Sequence, residues 1–286
     1  MTKTIIITGA NGFIGESLVS YFHVLGWKVR ALVHNSPKNK LPDVDYFPYD
    51  MEDCPLESVF EGADFLVHCA YLRHDRNRNS NTININGTRD LIALCRKQNI
   101  KPVFLSSFSA HPAAASHYGK TKFESEKLFD LSRDLVLKSG FVIGKKGMGA
   151  EIVNKIKSSK WFPLVGGGLQ PIQTIAIDDL CLIINGVLDK DASGLFHIAE
   201  AEAITMKSFY EEIALQLNRK IVFIPMPTSF MYAICRFAET VGLKLPVSSE
   251  SVLGLKHLIK FDTRKDLAKL QVSLKTYRES IQSALK

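Results

Sequence analysis

Tyr118 and Lys122 stand four residues apart in a stretch with helical patterning, so a helix there sets both side chains on one face. A phenol, with an ordinary pKa of about 10, is a poor base near neutrality. An ammonium held close to it, together with the positive ring of a bound cofactor, favours the phenolate. A serine hydroxyl at the end of a neighbouring strand could then hold the oxygen of a reacting carbonyl or carbinol carbon. Ser106 and Ser107 both offer it, at the end of an apolar run where open α/β sheets place their sites. Tyr-x-x-x-Lys arises often by chance on helices. Its weight here comes from order along the chain: a glycine turn, then His68-Cys69-Ala70, then Ser106-Ser107, then Tyr118 and Lys122.

The glycine turn is Thr8-Gly9-Ala10-Asn11-Gly12-Phe13-Ile14-Gly15, after an all-apolar strand and before an amphipathic helix. Gly9 allows a tight exit from the strand, Gly12 lets main-chain N–H groups of the Asn11–Ile14 stretch approach a phosphate, and Gly15 lets the helix pack closely. The helix N-terminus then faces a pyrophosphate with its partial positive charge. The expected ligand is a nicotinamide dinucleotide. A free ribose 2′-hydroxyl is usually met by an acidic residue at the end of the second strand. Here Val33-His34-Asn35 stands there, followed by Lys38 and Lys40, and no carboxylate is present. His34 and a lysine suit a 2′-phosphate, so NADP is favoured over NAD.

These groups need a scaffold, and the first two-thirds of the chain supply an alternating one. Strands are expected at Thr4–Thr8, Lys28–Val33, Val44–Pro48, Asp64–Cys69, Pro102–Ser106 and Leu135–Lys138, with helices at Phe13–Leu25, Ile83–Lys97 and His117–Leu131. Alternation of this kind implies right-handed crossovers and a Rossmann-type doubly wound parallel sheet. After about Ile143 the rhythm changes: a helix over Glu151–Ser158, a loop over Trp161–Pro171, a strand over Thr174–Ile177, a helix from near Asp178, then mostly helices with one strand at Ile221–Ile224. Residues 1–145 are expected to form the dinucleotide-binding domain, with strands contributed around 174–200. Residues 146–286 are expected to form a smaller, mainly helical substrate lobe.

The Gly-x-x-Gly-x-x-Gly spacing, with the order of motifs after it, resembles the short-chain dehydrogenase/reductase family, in its extended and atypical epimerase/dehydratase-like branch. The resemblance implies an NAD(P)-dependent oxidoreductase or epimerase in which Ser107, by motif position, orients the reacting oxygen, Tyr118 transfers the proton, and Lys122 lowers its pKa and holds the nicotinamide ribose. Asp50-Met51 resembles the pair that contacts adenine, and Cys69-Ala70 a segment whose backbone touches the cofactor. Asn84 in Asn84-Ile85-Asn86-Gly87-Thr88 matches a site-supporting asparagine, and Glu126 a later glutamate of the tyrosine helix. His68 reads as a packed histidine with no proton-transfer role, and Asp178-Asp179 as helix-capping carboxylates rather than an acid pair. The family also suggests a nucleotide-sugar substrate and a homodimer through the Ile83 and Tyr118 helices.

Departures from the family pattern narrow the reading. Lys138-Ser139 stands where Arg-Pro is usual, and Phe108-Ser109 where dehydratases carry an Asp-Glu pair, which argues against dehydratase chemistry. The short interval between Ser107 and Tyr118 is like that of atypical members, some of which bind cofactor without catalysis. A non-catalytic NAD(P)-binding sensor or assembly protein is therefore the alternative.

Composition sets outer limits. The 286 residues are 46% hydrophobic and 23% charged, with a net charge of +7, as in an ordinary globule. The basic balance suits an anionic small-molecule ligand, and the lysines and arginines are too dispersed for a nucleic-acid surface. Five cysteines with no Cys-x-x-Cys pair support neither a zinc site nor a disulfide framework, so no metal is expected and a cytoplasmic setting is. The opening apolar run is too short for a signal peptide, and no stretch reaches the roughly 18 apolar residues of a membrane span, so no membrane partner is expected.

Overall fold

The computed structural model describes residues 2–37, 39–73, 79–243, 245 and 247–286. Five strands and two helices open the chain: β1 (Thr4–Thr8), α1 (Phe13–Val24), β2 (Lys28–Val33), β3 (Val44–Pro48), β4 (Phe65–His68), α2 (Ser80–Lys97) and β5 (Lys101–Ser107). Then come α3 (His117–Glu126), β6 (Leu135–Ser139), β7 (Phe141–Ile143), α4 (Gly147–Ser158), β8 (Trp161–Val165), β9 (Pro171–Ile172), β10 (Thr174–Ala176), α5 (Ile177–Asp189) and β11 (Gly194–Ile198). The chain ends with β12 (Ile204–Thr205), α6 (Met206–Gln216), β13 (Val222–Met226), α7 (Thr228–Thr240), α8 (Ser249–Lys256), α9 (Arg264–Leu270) and α10 (Tyr277–Leu285).

Seven strands form one sheet in the order β11-β6-β5-β4-β1-β2-β3, and the pairings from β3 across to β5 are parallel. The chain starts in the middle at β1, winds out to β3, then returns to β4 on the other side of β1. That reversal is the topological switch point, and Thr8 and His68 face each other across it in register. The doubly wound expectation holds. All five residues of β1 are buried, as a strand covered on both faces requires.

Contacts divide the chain into two compact units. The first comprises Met1–Ser106, Thr121–Lys138 and Leu180–Phe196. One of its core clusters joins Ile6, Leu32 and Leu66 of the sheet to Leu91, Leu94 and Cys95 of α2. Each large aliphatic side chain buried there contributes about 1.5–3 kcal/mol. The second unit comprises Ser107–Lys120, Ser139–Asp179 and His197–Lys286, and its core gathers Ile156, Phe162, Phe209, Ile213 and Ile281.

Several boundaries shift. α2 starts at Ser80, capped by Asn79 through Thr82 N, and α3 stops at Glu126 instead of Leu131. Trp161–Pro171, expected as a loop, contains β8, which pairs in parallel with β13 from Trp161↔Val222 to Val165↔Met226. Only Gly166–Gly168 and the residues after it keep loop character, with all three glycines at positive φ.

Candidate functional site

The turn after β1 is built around atoms that leave no room for side chains. Gly9 sits at φ +65°, and a Cβ there would lie 2.8 Å from both Cα and N of Ala70. A Cβ on Gly15 would lie 2.8 Å from the Gly9 carbonyl carbon, 2.9 Å from Ala10 Cα, and closer still to the Gly9 oxygen. Gly12 is the N-cap of α1 and, lacking a side chain, makes no side-chain capping bond. The first-turn amides of Phe13, Ile14 and Gly15 therefore begin a helix with no side chain folded over them, the arrangement that receives an anion. Asn11 Nδ2 donates to Asn35 O at 2.7 Å, tying the turn to the end of β2. These features fit the pyrophosphate of a dinucleotide.

Beneath the turn runs a buried polar relay. Ala70 N–H donates to Thr8 Oγ1 at 3.1 Å, and Thr8 Oγ1 is 2.7 Å from His68 Nδ1. His68 Nε2 is 3.1 Å from Thr88 Oγ1, which donates to Asn84 O at 2.7 Å. Because the Thr88 hydroxyl proton goes to that carbonyl, His68 must donate from Nε2, and Nδ1 must accept from Thr8. Burial pushes the imidazole down to about 3, helped by the Lys122 charge, so it is neutral. His68 is thus a strut, as the sequence suggests. Asn84 completes the relay: its Oδ1 accepts from Leu72 N at 2.8 Å, and its Nδ2 donates to Leu72 O and Ser80 O. Ala70 is held through its backbone N–H on Thr8, and burial pushes the thiol of the neighbouring Cys69 up to about 12, leaving it inert.

Lys122 is 5% exposed and belongs to the same unit as the turn. Its Nζ donates to Leu105 O at 2.8 Å and lies 4.4 Å from the Phe104 ring centroid and 5.7 Å from that of Tyr71. Burial pushes its pKa down to about 8, against the opposing pull of Cys69 and Glu126. Glu126, one helical turn further along α3, accepts from Ser106 Oγ on one oxygen and lies 2.9 Å from Lys138 Nζ on the other. Both side chains of this ion pair are under a tenth exposed. Lys138-Ser139, which reads from sequence as an altered loop, is the end of β6, and Lys138 is the counter-charge of Glu126. Ser106 is occupied by this pair, which leaves Ser107 as the accessible hydroxyl.

In the second unit, Ser107 and Tyr118 share a side-chain hydrogen bond. Desolvation raises the Tyr118 phenol above its usual range, and the bond to Ser107 works against that rise. Tyr118 as a residue is 37% exposed, although its hydroxyl is desolvated. Gly119, which the sequence analysis passed over, makes the approach possible: a Cβ there would lie 2.9 Å from Ala114 Cβ and closer to Ser109 O. The dipeptide Tyr-Gly is its only trace in the sequence. Phe108 is 6% exposed and packs at a tilt against Phe261, ring centroids 4.6 Å apart, so the position where dehydratases carry an acid holds a core aromatic.

The remaining candidates are spread over several surroundings. His34 Nδ1 lies 3.2 Å from Asp50 Oδ2, so the group expected to meet a 2′-phosphate faces a carboxylate; Lys38 lies outside the described residues. Met51 is 7% exposed and its side chain belongs to the sheet core. Asp178 and Asp179 lie in the first turn of α5, but their carboxylates receive Lys275, through its Nζ at 3.2 Å and its backbone N at 2.8 Å respectively. They brace the chain rather than act as an acid pair. Among the described residues no cluster of three metal-ligating side chains occurs.

Residues 5–132 match the family model described as "NAD dependent epimerase/dehydratase family". Among similar curated proteins, the N-acetyl-alpha-D-glucosaminyl-diphospho-ditrans,octacis-undecaprenol 4-epimerase of Escherichia coli O157:H7 is 22% identical over 297 residues, covering 93% of this chain and 89% of that protein. The UDP-N-acetylglucosamine 4,6-dehydratase (inverting) of Campylobacter jejuni is 22% identical over 258 residues, covering 78% and 74%. Among solved structures, UDP-N-acetylglucosamine 4-epimerase from Bacillus cereus superposes with a TM-score of 0.75 at 18% identity, covering 99% of this chain and 95% of that one. MoeE5 in complex with UDP-glucose and NAD gives 0.76 at 16% identity, covering 99% and 97%. These structural likenesses establish the fold. The family is named for NAD, and the expected preference for NADP finds no support.

Proposed function

We propose that the protein, whose residues 5–132 match the model of the NAD dependent epimerase/dehydratase family, is an NAD-dependent epimerase acting at a hydroxyl-bearing carbon of a sugar joined to a diphosphate. The observation that carries this reading is the hydrogen bond between Ser107 and Tyr118, with Lys122 one helical turn along the same helix. The main-chain amides at the start of α1 hold the cofactor's pyrophosphate, and the rigid Cys69-Ala70 segment backs it. When bound, NAD supplies a carbon that takes up a hydride and can return it. Ser107 holds the substrate oxygen, Tyr118 takes and gives back its proton, and the Lys122 ammonium favours the phenolate that does so. Lys122 also holds the nicotinamide ribose.

Residues 146–286 supply the contacts that select the sugar. The diphosphate is the shared feature of the nucleotide sugars and the diphospho-undecaprenol sugar for which the relatives are named. Phe108-Ser109, in place of the Asp-Glu pair, favours epimerisation over dehydration.

The test is conversion of UDP-N-acetylglucosamine, UDP-glucose and an undecaprenyl-diphosphate sugar by the purified protein with NAD, followed by chromatography of the epimers. Tyr118→Phe should lower turnover by about 10²–10⁴-fold while dinucleotide affinity stays unchanged. Full turnover in the variant would overturn the assignment of Tyr118. A wild type that binds NAD, converts none of the three substrates and keeps its cellular role as Tyr118→Phe would mark the protein as a dinucleotide sensor.

A further inference from the structure

Helix α7 packs through one side and leaves the other uncovered among the described residues. Its inner face carries Cys235 and Ala238, 1% and 5% exposed, and it lies against α8, with Cys235 Sγ donating to Val247 O. Its outer face is apolar. Phe230, Ala233, Phe237 and Val241 recur three or four residues apart, which at 3.6 residues per turn aligns them in a single stripe. Phe230 is 57% exposed and Phe237 68%, and the chain continues beyond Val241 through the exposed Leu243 and Leu245. A soluble monomer gains nothing by holding two phenyl rings in water along one helix face.

Charge identifies what fits there. From Arg219 to Lys260 the chain carries six lysines and arginines against two glutamates and no aspartate. Both glutamates are turned inward: Glu239 accepts from Ser249 N and Oγ, and Glu250 accepts from His117 N. Arg236 is half exposed beside Phe237, 4.0 Å from Glu239, and Lys256 is exposed at the end of α8, whereas Lys260 is about half exposed and lies 3.9 Å from the exposed Glu202. An apolar stripe flanked by the exposed cations Arg236 and Lys256 matches an anionic lipid surface, in which rings enter the acyl boundary and basic groups meet headgroups.

We propose that α7 forms a membrane-surface anchor, with the helix lying in the plane of an anionic bilayer and Phe230 and Phe237 inserted. The expectation of no membrane partner rests on the lack of a spanning stretch, and an in-plane helix needs none: no helix among the described residues is long and apolar enough to cross. The anchor is independent of the reaction assigned to Tyr118.

The full-length protein should float with vesicles of phosphatidylcholine containing roughly 30% phosphatidylglycerol and bind pure phosphatidylcholine vesicles less, with the excess lost at about 0.5 M salt. Phe230→Ser/Phe237→Ser should lower the partition coefficient by about tenfold or more. Both rings are more than half exposed, so the variant should keep its circular dichroism spectrum and melting temperature. Arg236→Ser/Lys256→Ser provides an independent arm and should remove the preference for anionic vesicles while leaving the weaker binding to neutral ones. Wild type that stays at the bottom of the gradient with both vesicles overturns the proposal. So does undiminished flotation of the double phenylalanine variant. Light scattering that shows a dimer broken by the same variant, with no flotation, assigns the face to a second copy and also overturns it.

Discussion

Replacing Glu126 by glutamine tests the buried pair that braces the lysine helix. Glutamine keeps the shape of the side chain, so no cavity opens and the change is one of charge. In the wild type, one carboxylate oxygen takes the Ser106 hydroxyl and the other lies 2.9 Å from Lys138 Nζ, with the two side chains 7% and 6% exposed. Solvent cannot screen a pair that deep, and removing one partner leaves an ammonium without counter-charge, at a cost of about 3–5 kcal/mol. For a chain of this size, a loss of about 3 kcal/mol corresponds to roughly 6–12 °C in melting temperature. Glu126→Gln/Lys138→Met removes both charges and should recover most of that loss, because a buried ion pair and an apolar pair of similar volume are often close in stability. Glu126→Gln also withdraws the carboxylate that supports the charge of Lys122, so the Lys122 pKa should fall below about 8. The assay is urea unfolding of the two single variants and the double variant, followed by far-ultraviolet circular dichroism. A Glu126→Gln loss under about 0.5 kcal/mol, or a double variant no better than the worse single one, would refute a functioning buried pair.

Other variants probe the cradle, the relay and the lysine. Gly15→Ala places a methyl against the Gly9 carbonyl and Ala10, so it should displace the turn, weaken dinucleotide binding by at least about tenfold and cost about 1–3 kcal/mol. Calorimetric titration with NAD measures it, and wild-type affinity would remove the close-packing role. Thr88→Val deprives His68 Nε2–H of its acceptor and should cost about 1–3 kcal/mol of stability in urea; a neutral result would mean that the relay carries no strain-free hydrogen bond there.

Lys122 predicts a pH effect. The lysine is held near 8 when folded and titrates at about 10.4 when unfolded, so the unfolded chain binds its proton more tightly. The group therefore costs stability below about pH 8, and that cost is relieved as the pH rises from about 8 towards 10.4. Relative to Lys122→Met, the wild type should gain about 1 kcal/mol between pH 8 and 9. The raised Cys69 thiol acts in the opposite sense above about 9 in both proteins. A difference that is flat across that interval would show that Lys122 is not desolvated.

The parts of the molecule that were legible in the sequence are those whose causes are local. A continuous apolar run, a glycine turn and an amphipathic helix determine β1 and α1 within about ten neighbouring residues each. Tyr118 and Lys122 stood out by spacing and order, with Ser106 and Ser107 both offered, and the family resemblance chose Ser107 between them. What escaped depends on distant partners. β8 needs β13, some sixty positions later, before Trp161–Val165 behaves as a strand, and its proline and the glycines after it suggest a loop until that partner is known. α3 ends early because Asp134 captures Asp130 N and pairs with Arg96, pinning the turn that follows the helix. The role of Lys138 was hidden for the same reason. Only when β6 lies beside β5, with Glu126 reaching from α3, does an unusual residue become half of an ion pair.

The sheet has a consequence for biosynthesis. Its outer strand, β11, ends at Ile198, and Gly194 N closes on Asp134 O across about sixty residues of intervening chain. The nucleotide-binding half therefore cannot finish assembling while the nascent polypeptide ends near residue 145, although every glycine of the cradle has by then long emerged from the ribosome. Until β11 arrives, β6 is an unprotected edge. Truncation at the apparent end of the Rossmann pattern should leave that edge open to aggregation, and chaperone demand during translation should peak between the emergence of β6 and that of β11.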